Sequence, residues 1–206
     1  MTSSPSDTEA AIDPLQEFAD QVAGAVGGDA EVAFDTVKVR VTPDRWVSAL
    51  TTARDDLGLV FFSWLSAVDW SSDVEVGDPF PEEVEDRFEL LAMLGDLSEG
   101  RWVIFATDLP KESPVIASLI PVFSGANWHE RECHEMFGID FEGHPNLIHL
   151  YLPDSFQGNP LRKSFPLLTR EVKPWPGTVD VEGMPGSGGE DDEPATDGPS
   201  EENPEA

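Results

Sequence analysis

NWHERECHEMFGIDFEGHPNLIHLYLPDSFQGNPLRKSFP, from Asn127 to Pro166, holds all four histidines, the only cysteine and the only tyrosine of a 206-residue chain. It also carries a basic pair, Arg162 and Lys163, in a protein of formal net charge −29. Asn127 followed three residues on by Glu130 has the form of a capping box, and Gly138 offers a left-handed stop, so the spacing predicts a helix over Trp128 to Phe137. Arg131 and Glu135 stand four apart on it, as do Glu130 and His134, which places charge over most of its surface with Met136 and Phe137 turning inward.

His129 and Cys133 have chelating i, i+4 spacing, and His144 and His149 follow, so a stand-alone metalloenzyme built on these four residues is one reading. HERECH, however, is one residue too long for the zinc-protease helix. Five residues turn through about 500°, which sends His129 and His134 to different sides. Cys133 would need an adjacent base to act as a nucleophile, and His134 projects elsewhere. It reads as a buried, inert thiol. After the helix, Gly138 to Tyr151 is an irregular loop with turn chemistry at GHPNL. PLRKSFP, bracketed by Pro160 and Pro166, reads as an extended segment with two fixed bases, suited to lying across another protein.

Outward from this stretch, Asp13 caps a helix over Pro14 to Val26 that ends at Gly27-Gly28. Val32 to Val41 alternates like a half-buried strand, and Pro43 to Asp56 is helical, stopped by Gly58. LVFFSWLSAVDW, Leu59 to Trp70, is nearly continuous in apolar character and predicts a central strand buried on both faces. Ser71 to Asp86 is a loop. Arg87 to Leu97 and Trp102 to Thr107 form a hairpin-like pair of strands, and Pro114 to Pro121 offers one or two helical turns. The order implies an α+β fold: a mixed or antiparallel sheet with packed helices, followed by an extended C-terminal docking segment and a disordered acidic tail. The corresponding divisions are a leader over 1–13, an α+β domain over 14–121, the signature helix, loop and docking segment over 122–173, and the tail over 174–206.

With 41 acids against 12 bases, the chain is unsuited to nucleic acid or to direct adhesion on anionic lipid, both of which need positive charge. One cysteine excludes an intramolecular disulfide and a four-thiolate cluster or zinc site made by this chain alone. No nucleotide-binding glycine motif, apolar span or signal-peptide pattern is present.

The run ERECHEMFGIDFEGHPNL, followed by LYLPD and NPLRKSFPL, resembles the signature of the thirty-kilodalton subunit family of the proton-pumping NADH:quinone oxidoreductase, complex I. The matching positions are Glu130, Arg131, Glu132, Phe137, Gly138, Phe141, Gly143, Pro145, Leu147, Pro160, Leu161, Arg162, Lys163, Phe165 and Pro166. His134, Glu135 and His149 depart from it, standing where an aromatic, an Asp and an Arg are usual. The resemblance implies a structural peripheral-arm subunit on the cytoplasmic side of the plasma membrane. It would dock on subunits D and B near the quinone site and carry no catalytic, cofactor or metal residue, the flavin and iron–sulfur clusters lying in partner subunits. The same module in a membrane-bound hydrogenase, or in a dehydrogenase with another electron donor, is the neighbouring possibility.

Overall fold

A computed structural model describes residues 13–71 and 85–166, so the expected leader, the acidic tail and most of the Ser71 to Asp86 loop lie outside the described residues. Helix α1 (Pro14–Val26) starts where the Asp13 carboxylate accepts the Leu15 amide at 3.0 Å and ends at Gly27, whose φ of 68° is the left-handed cap. It buries Phe18, Ala19, Val22 and Val26. A 3-10 turn at Pro43–Arg45 leads into α2 (Trp46–Asp55), which buries Trp46, Ala49, Leu50 and Ala53.

The region expected as one strand over Val32 to Val41 is a hairpin of β1 (Asp29–Ala33) and β2 (Thr36–Arg40). Its two turn residues, Phe34 and Asp35, sit at φ 51° and 57°. That conformation is ordinarily given to Asn-Gly or Asp-Gly, which is why the turn is invisible in the residue types. Strands β3 (Phe61–Asp69), β4 (Phe88–Asp96) and β5 (Arg101–Leu109) complete a mixed sheet in the order β1-β2-β5-β4-β3, with β2 and β5 parallel and the other pairs antiparallel.

The expected central strand is therefore an edge strand. β3 is apolar on both sides for a different reason: Phe62 turns inward, stacking on Phe123 at 5.4 Å, while an irregularity in register between Phe62 and Trp64 sends Trp64 to the opposite side. Central positions belong to β5 and β4. Pro114 to Pro121 is not helical either. Val115–Ala117 forms β6, which pairs in parallel with β7 (Asp140–Glu142), and only the following residues turn. A β-branched pair at Val115 and Ile116 favours the strand once a partner is supplied.

Helices α1 and α2, with α3 (Ala126–Phe137), contribute to a single core with the inward residues Val37, Val39, Leu65, Phe88, Leu90, Ala92, Leu94, Val103 and Phe105. The core runs without a break from Phe18 to Phe141. At the β4–β5 turn the Asp96 carboxylate accepts the Ser98 hydroxyl at 2.6 Å, the Arg101 guanidinium at 3.1 Å and the Ser98 amide at 2.9 Å. The Ser98 hydroxyl, then Arg101, hold its pKa down from 3.8 to about 2. A carboxylate depressed in this way stabilises the fold above its unfolded value and loses that contribution as pH falls through the folded one. Asp96→Asn is thus expected to flatten the decline in stability between about 3.8 and about 2, as read by acid titration of the unfolding midpoint.

Candidate functional site

Helix α3 and the chain that follows it are bound together residue by residue. No side chain caps the helix start at Gly125, and the expected box does not form: Asn127 lies inside the helix, with its buried Oδ1 unpartnered. Glu130 instead points into the protein, fully buried, where it accepts the Ser118 hydroxyl and the Leu119 amide, each at 2.6 Å. Burial pushes its carboxyl above the usual range, against the pull of those two donors. Glu135 is buried as well, so the helix is less charged outside than its spacing implies.

Arg131 and Glu135 do not pair with each other. Arg131 donates to the carbonyls of Ile148 at 2.9 Å and His149 at 2.6 Å. One turn on, the Glu135 carboxylate accepts the amides of Leu150 at 2.9 Å, Tyr151 at 3.0 Å and Leu152. The two side chains grip successive peptide groups of one strand of backbone, the cation on carbonyls and the anion on amides. Burial works against the charge of Glu135, yet the three amides and His149 outweigh it and hold its carboxyl below the ordinary 4.5. A carboxylate that accepts several backbone amides is expected to behave in this way.

The end of the helix is closed by the same segment. An α-helix leaves its last carbonyls without intrahelical donors. Here Asn159 Nδ2 donates to Glu135 O at 3.0 Å, the Leu161 amide to Met136 O at 3.1 Å, and Arg162 Nε to Phe137 O at 2.5 Å. The Gly138 amide, at φ 71°, returns to His134 O. Arg162 also lies over the Phe88 ring, 5.3 Å from its centroid. Lys163 follows with its amide on Asp69 Oδ2 at 2.9 Å and its ammonium on Ser71 O at 3.1 Å.

These bonds correct the expectation for PLRKSFP. Residues 160–166 are turns rather than an extended strand, and both cations of the pair face their own domain. Capping needs donors at a helix C-terminus, and Arg162 supplies one, while Lys163 ties the segment to Ser71; the rarity of such cations in an acidic chain marks intramolecular use equally well. Phe165 stacks on Phe156 at 6.0 Å, and Phe141 is buried on β7, while Leu147 packs against the core and Gly143 turns the loop at φ 82°. Pro145, Pro166 and Leu161 are exposed, and Pro160 and Glu132 are half-exposed. Trp128 at 62%, Ile148 at 55%, Tyr151 at 62% and Leu161 at 53% are the large apolar side chains that this clasped element leaves in solvent.

The reactive-looking residues are dispersed. Cys133 is fully buried, and burial first, with Glu132 and Glu130 adding to it, pushes its thiol far above the ordinary range. His129 meets Phe62 edge-on at 5.5 Å, the His134 ring lies 3.1 Å from Ile139 O, and His144 lies 3.2 Å from Asn127 O. Among the described residues no group of three or more His, Cys, Asp or Glu side chains is placed to hold a metal ion. Asp69, Ser71 and Asn159, which anchor the strap of residues 146–165, escape a reading of the sequence because no local pattern links them to it. The Arg131 and Glu135 spacing is visible, but it suggests a pair rather than a clasp.

The fold and this clasp define a class: a two-layer α+β domain with a C-terminal strap tied to its last helix. A family model described as the respiratory-chain NADH dehydrogenase, 30 Kd subunit, matches residues 39–171. The C subunit of the NADH-quinone oxidoreductase of Methylobacterium sp. (strain 4-46) is 35% identical over 164 residues, 78% of this chain and 72% of that protein. Its counterpart in Rhodobacter capsulatus is 36% identical over 157 residues, 74% of this chain and 73% of its own. Among solved structures, the trypsin-resistant fragment (1-134) of Nqo5 superposes with a TM-score of 0.53 at 26% identity, covering 65% of this chain and 99% of the fragment. A chain of the membrane-bound sulfane sulfur reductase, an archaeal respiratory membrane complex, superposes with a TM-score of 0.56 at 21% identity over 74% of this chain and 86% of its own; it shares the fold. The chain belongs to the 30 kDa subunit family of the respiratory-chain NADH dehydrogenase.

Proposed function

We propose that this chain is a structural, non-catalytic subunit of the peripheral arm of a proton-translocating NADH:quinone oxidoreductase. Its site is the α3–strap unit, which docks on subunits D and B beside the quinone region, on the cytoplasmic side of the plasma membrane, and the redox centres belong to other subunits. The observation that carries this reading is the clasp: Arg131, Glu135, Asn159 and Arg162 fix the strap's backbone before any partner arrives. A binding surface ordered in advance spares the entropy of ordering it on contact. Exposed Trp128, Ile148, Tyr151 and Leu161 are the apolar anchors, since aromatic side chains dominate the buried centres of interfaces.

In this reading the signature residues divide by task. Glu130, Arg131, Phe137, Gly138, Phe141, Gly143, Leu147, Arg162, Lys163 and Phe165 build the element. Glu132, Pro145, Pro160, Leu161 and Pro166 lie where a partner reaches them. No helix among the described residues is long and apolar enough to cross a membrane. The test is affinity purification of a tagged chain at native abundance. Subunits D and B are expected in the eluate, and a monomer without them would overturn the proposal.

A further inference from the structure

Among the described residues the helices lie on one face of the sheet, and the opposite face carries an apolar stripe where a solvated sheet is ordinarily polar. By register, Trp64 of β3 lies opposite Met93 of β4, which lies opposite Ile104 of β5, with Leu91 opposite Ala106 alongside. Trp64, Leu91, Met93 and Ile104 are half-buried and belong neither to the core nor to the side chains packed on it.

Each end of this stripe is finished differently. At one end Trp102 closes over Gly95, where an added Cβ would meet its ring at 2.6 Å, and Phe61 meets it edge-on at 5.9 Å. At the other, Glu89 takes Lys38 and Arg40, both at 2.6 Å, and Asp108 takes Arg40 at 2.6 Å and Arg87 at 3.0 Å. The cations of that border are thereby neutralised. Acids remain: on the adjoining β1 hairpin, Asp29, Glu31 and Asp35 have no cation paired with them among the described residues, and Phe34 between them is fully exposed.

We infer that this face, which no described helix covers, is a second docking surface, which receives a helix of a neighbouring subunit, apolar on the side laid against Trp64, Met93 and Ile104 and basic on the flank beside β1. A helix is the element that covers a sheet face. The unpaired acids select a basic flank and repel a second copy of this acidic chain, because like charges brought together at an interface weigh heavily against the wrong partner. The inference rests on the reading of the chain as a subunit, and names a surface separate from the strap.

Met93→Cys places a reporter thiol in the centre of the face, and the native Cys133 is buried and silent. Maleimide labelling is compared between the isolated full-length variant and the assembled complex purified through it. The expected result is ready labelling of the free chain and about tenfold slower labelling in the complex. A companion, Glu31→Lys with Asp35→Lys, is expected to lower the assembled fraction on a native gel while the thermal unfolding of the free chain stays unchanged. Equal labelling in both states, a reporter already protected in the free chain, or full assembly of the charge-reversed variant overturns the inference and leaves the strap reading standing. A chain that brings down no other subunit overturns both.

Discussion

Glu135→Ala is expected to cost about 3 kcal/mol of stability and to release the strap from α3, because three backbone amides lose a charged acceptor at once. The loss should appear as faster hydrogen exchange at Leu150, Tyr151 and Leu152 and as new proteolytic cleavage between Leu147 and Pro160. Glu135→Gln keeps one acceptor oxygen and should fall between the two. Glu132→Ala, on the same helix but half-exposed, should stay within about 0.5 kcal/mol of the native chain. The effect also has a pH sign. The folded-state pKa of Glu135 is depressed, so its contribution is present above the ordinary 4.5 and disappears as pH falls through the folded value. If the two glutamates cost the same, the clasp is not what holds the strap.

Gly138→Ala is expected to cost about 2 kcal/mol or more, because two penalties coincide at one atom. The residue sits at φ 71°, where a side chain is strained, and an added Cβ would run into the Arg162 guanidinium and Asn159 Oδ1. Both neighbours cap α3, so making room for one methyl group undoes the closure of the helix. Gly143→Ala separates the terms: φ is 82° there, with nothing within 4 Å of the added atom, leaving the backbone penalty of about 1 kcal/mol alone. The difference between the two midpoints of chemical unfolding measures what displacing Arg162 costs. Equal losses would mean that Arg162 yields freely and contributes nothing to the cap.

What the chain reveals as sequence follows a physical division between local and distant interactions. Helix α1 is legible to the residue because cap, periodicity and glycine stop all lie within it. The β1–β2 turn is not, since Phe34 and Asp35 adopt a backbone that their side chains disfavour and only the pairing of the strands imposes it. The apolar run from Leu59 to Trp70 announces a strand but not its position, because an edge strand with apolar residues on both faces has the same composition as a central one. Val115 to Ala117 becomes a strand through a partner more than twenty positions away. In the site, helix, left-handed stop and buried thiol can be read from spacing. The direction of Glu130, Arg162 and Lys163 cannot, because each is decided by Ser118, by the free carbonyls of α3, or by Ser71 and Asp69 across the sheet.

The most direct measurement is made on the complex. In a strain lacking its own copy, the Glu135→Ala chain is expressed at native level, and two quantities are read from the membranes: the amount of assembled complex on a native gel, and the NADH:quinone turnover per assembled complex. A structural subunit whose strap is prepared by α3 predicts that assembly falls steeply while the turnover of whatever assembles is unchanged. Full assembly with a collapsed turnover would contradict it, and would place Glu135 in the chemistry rather than in the docking element.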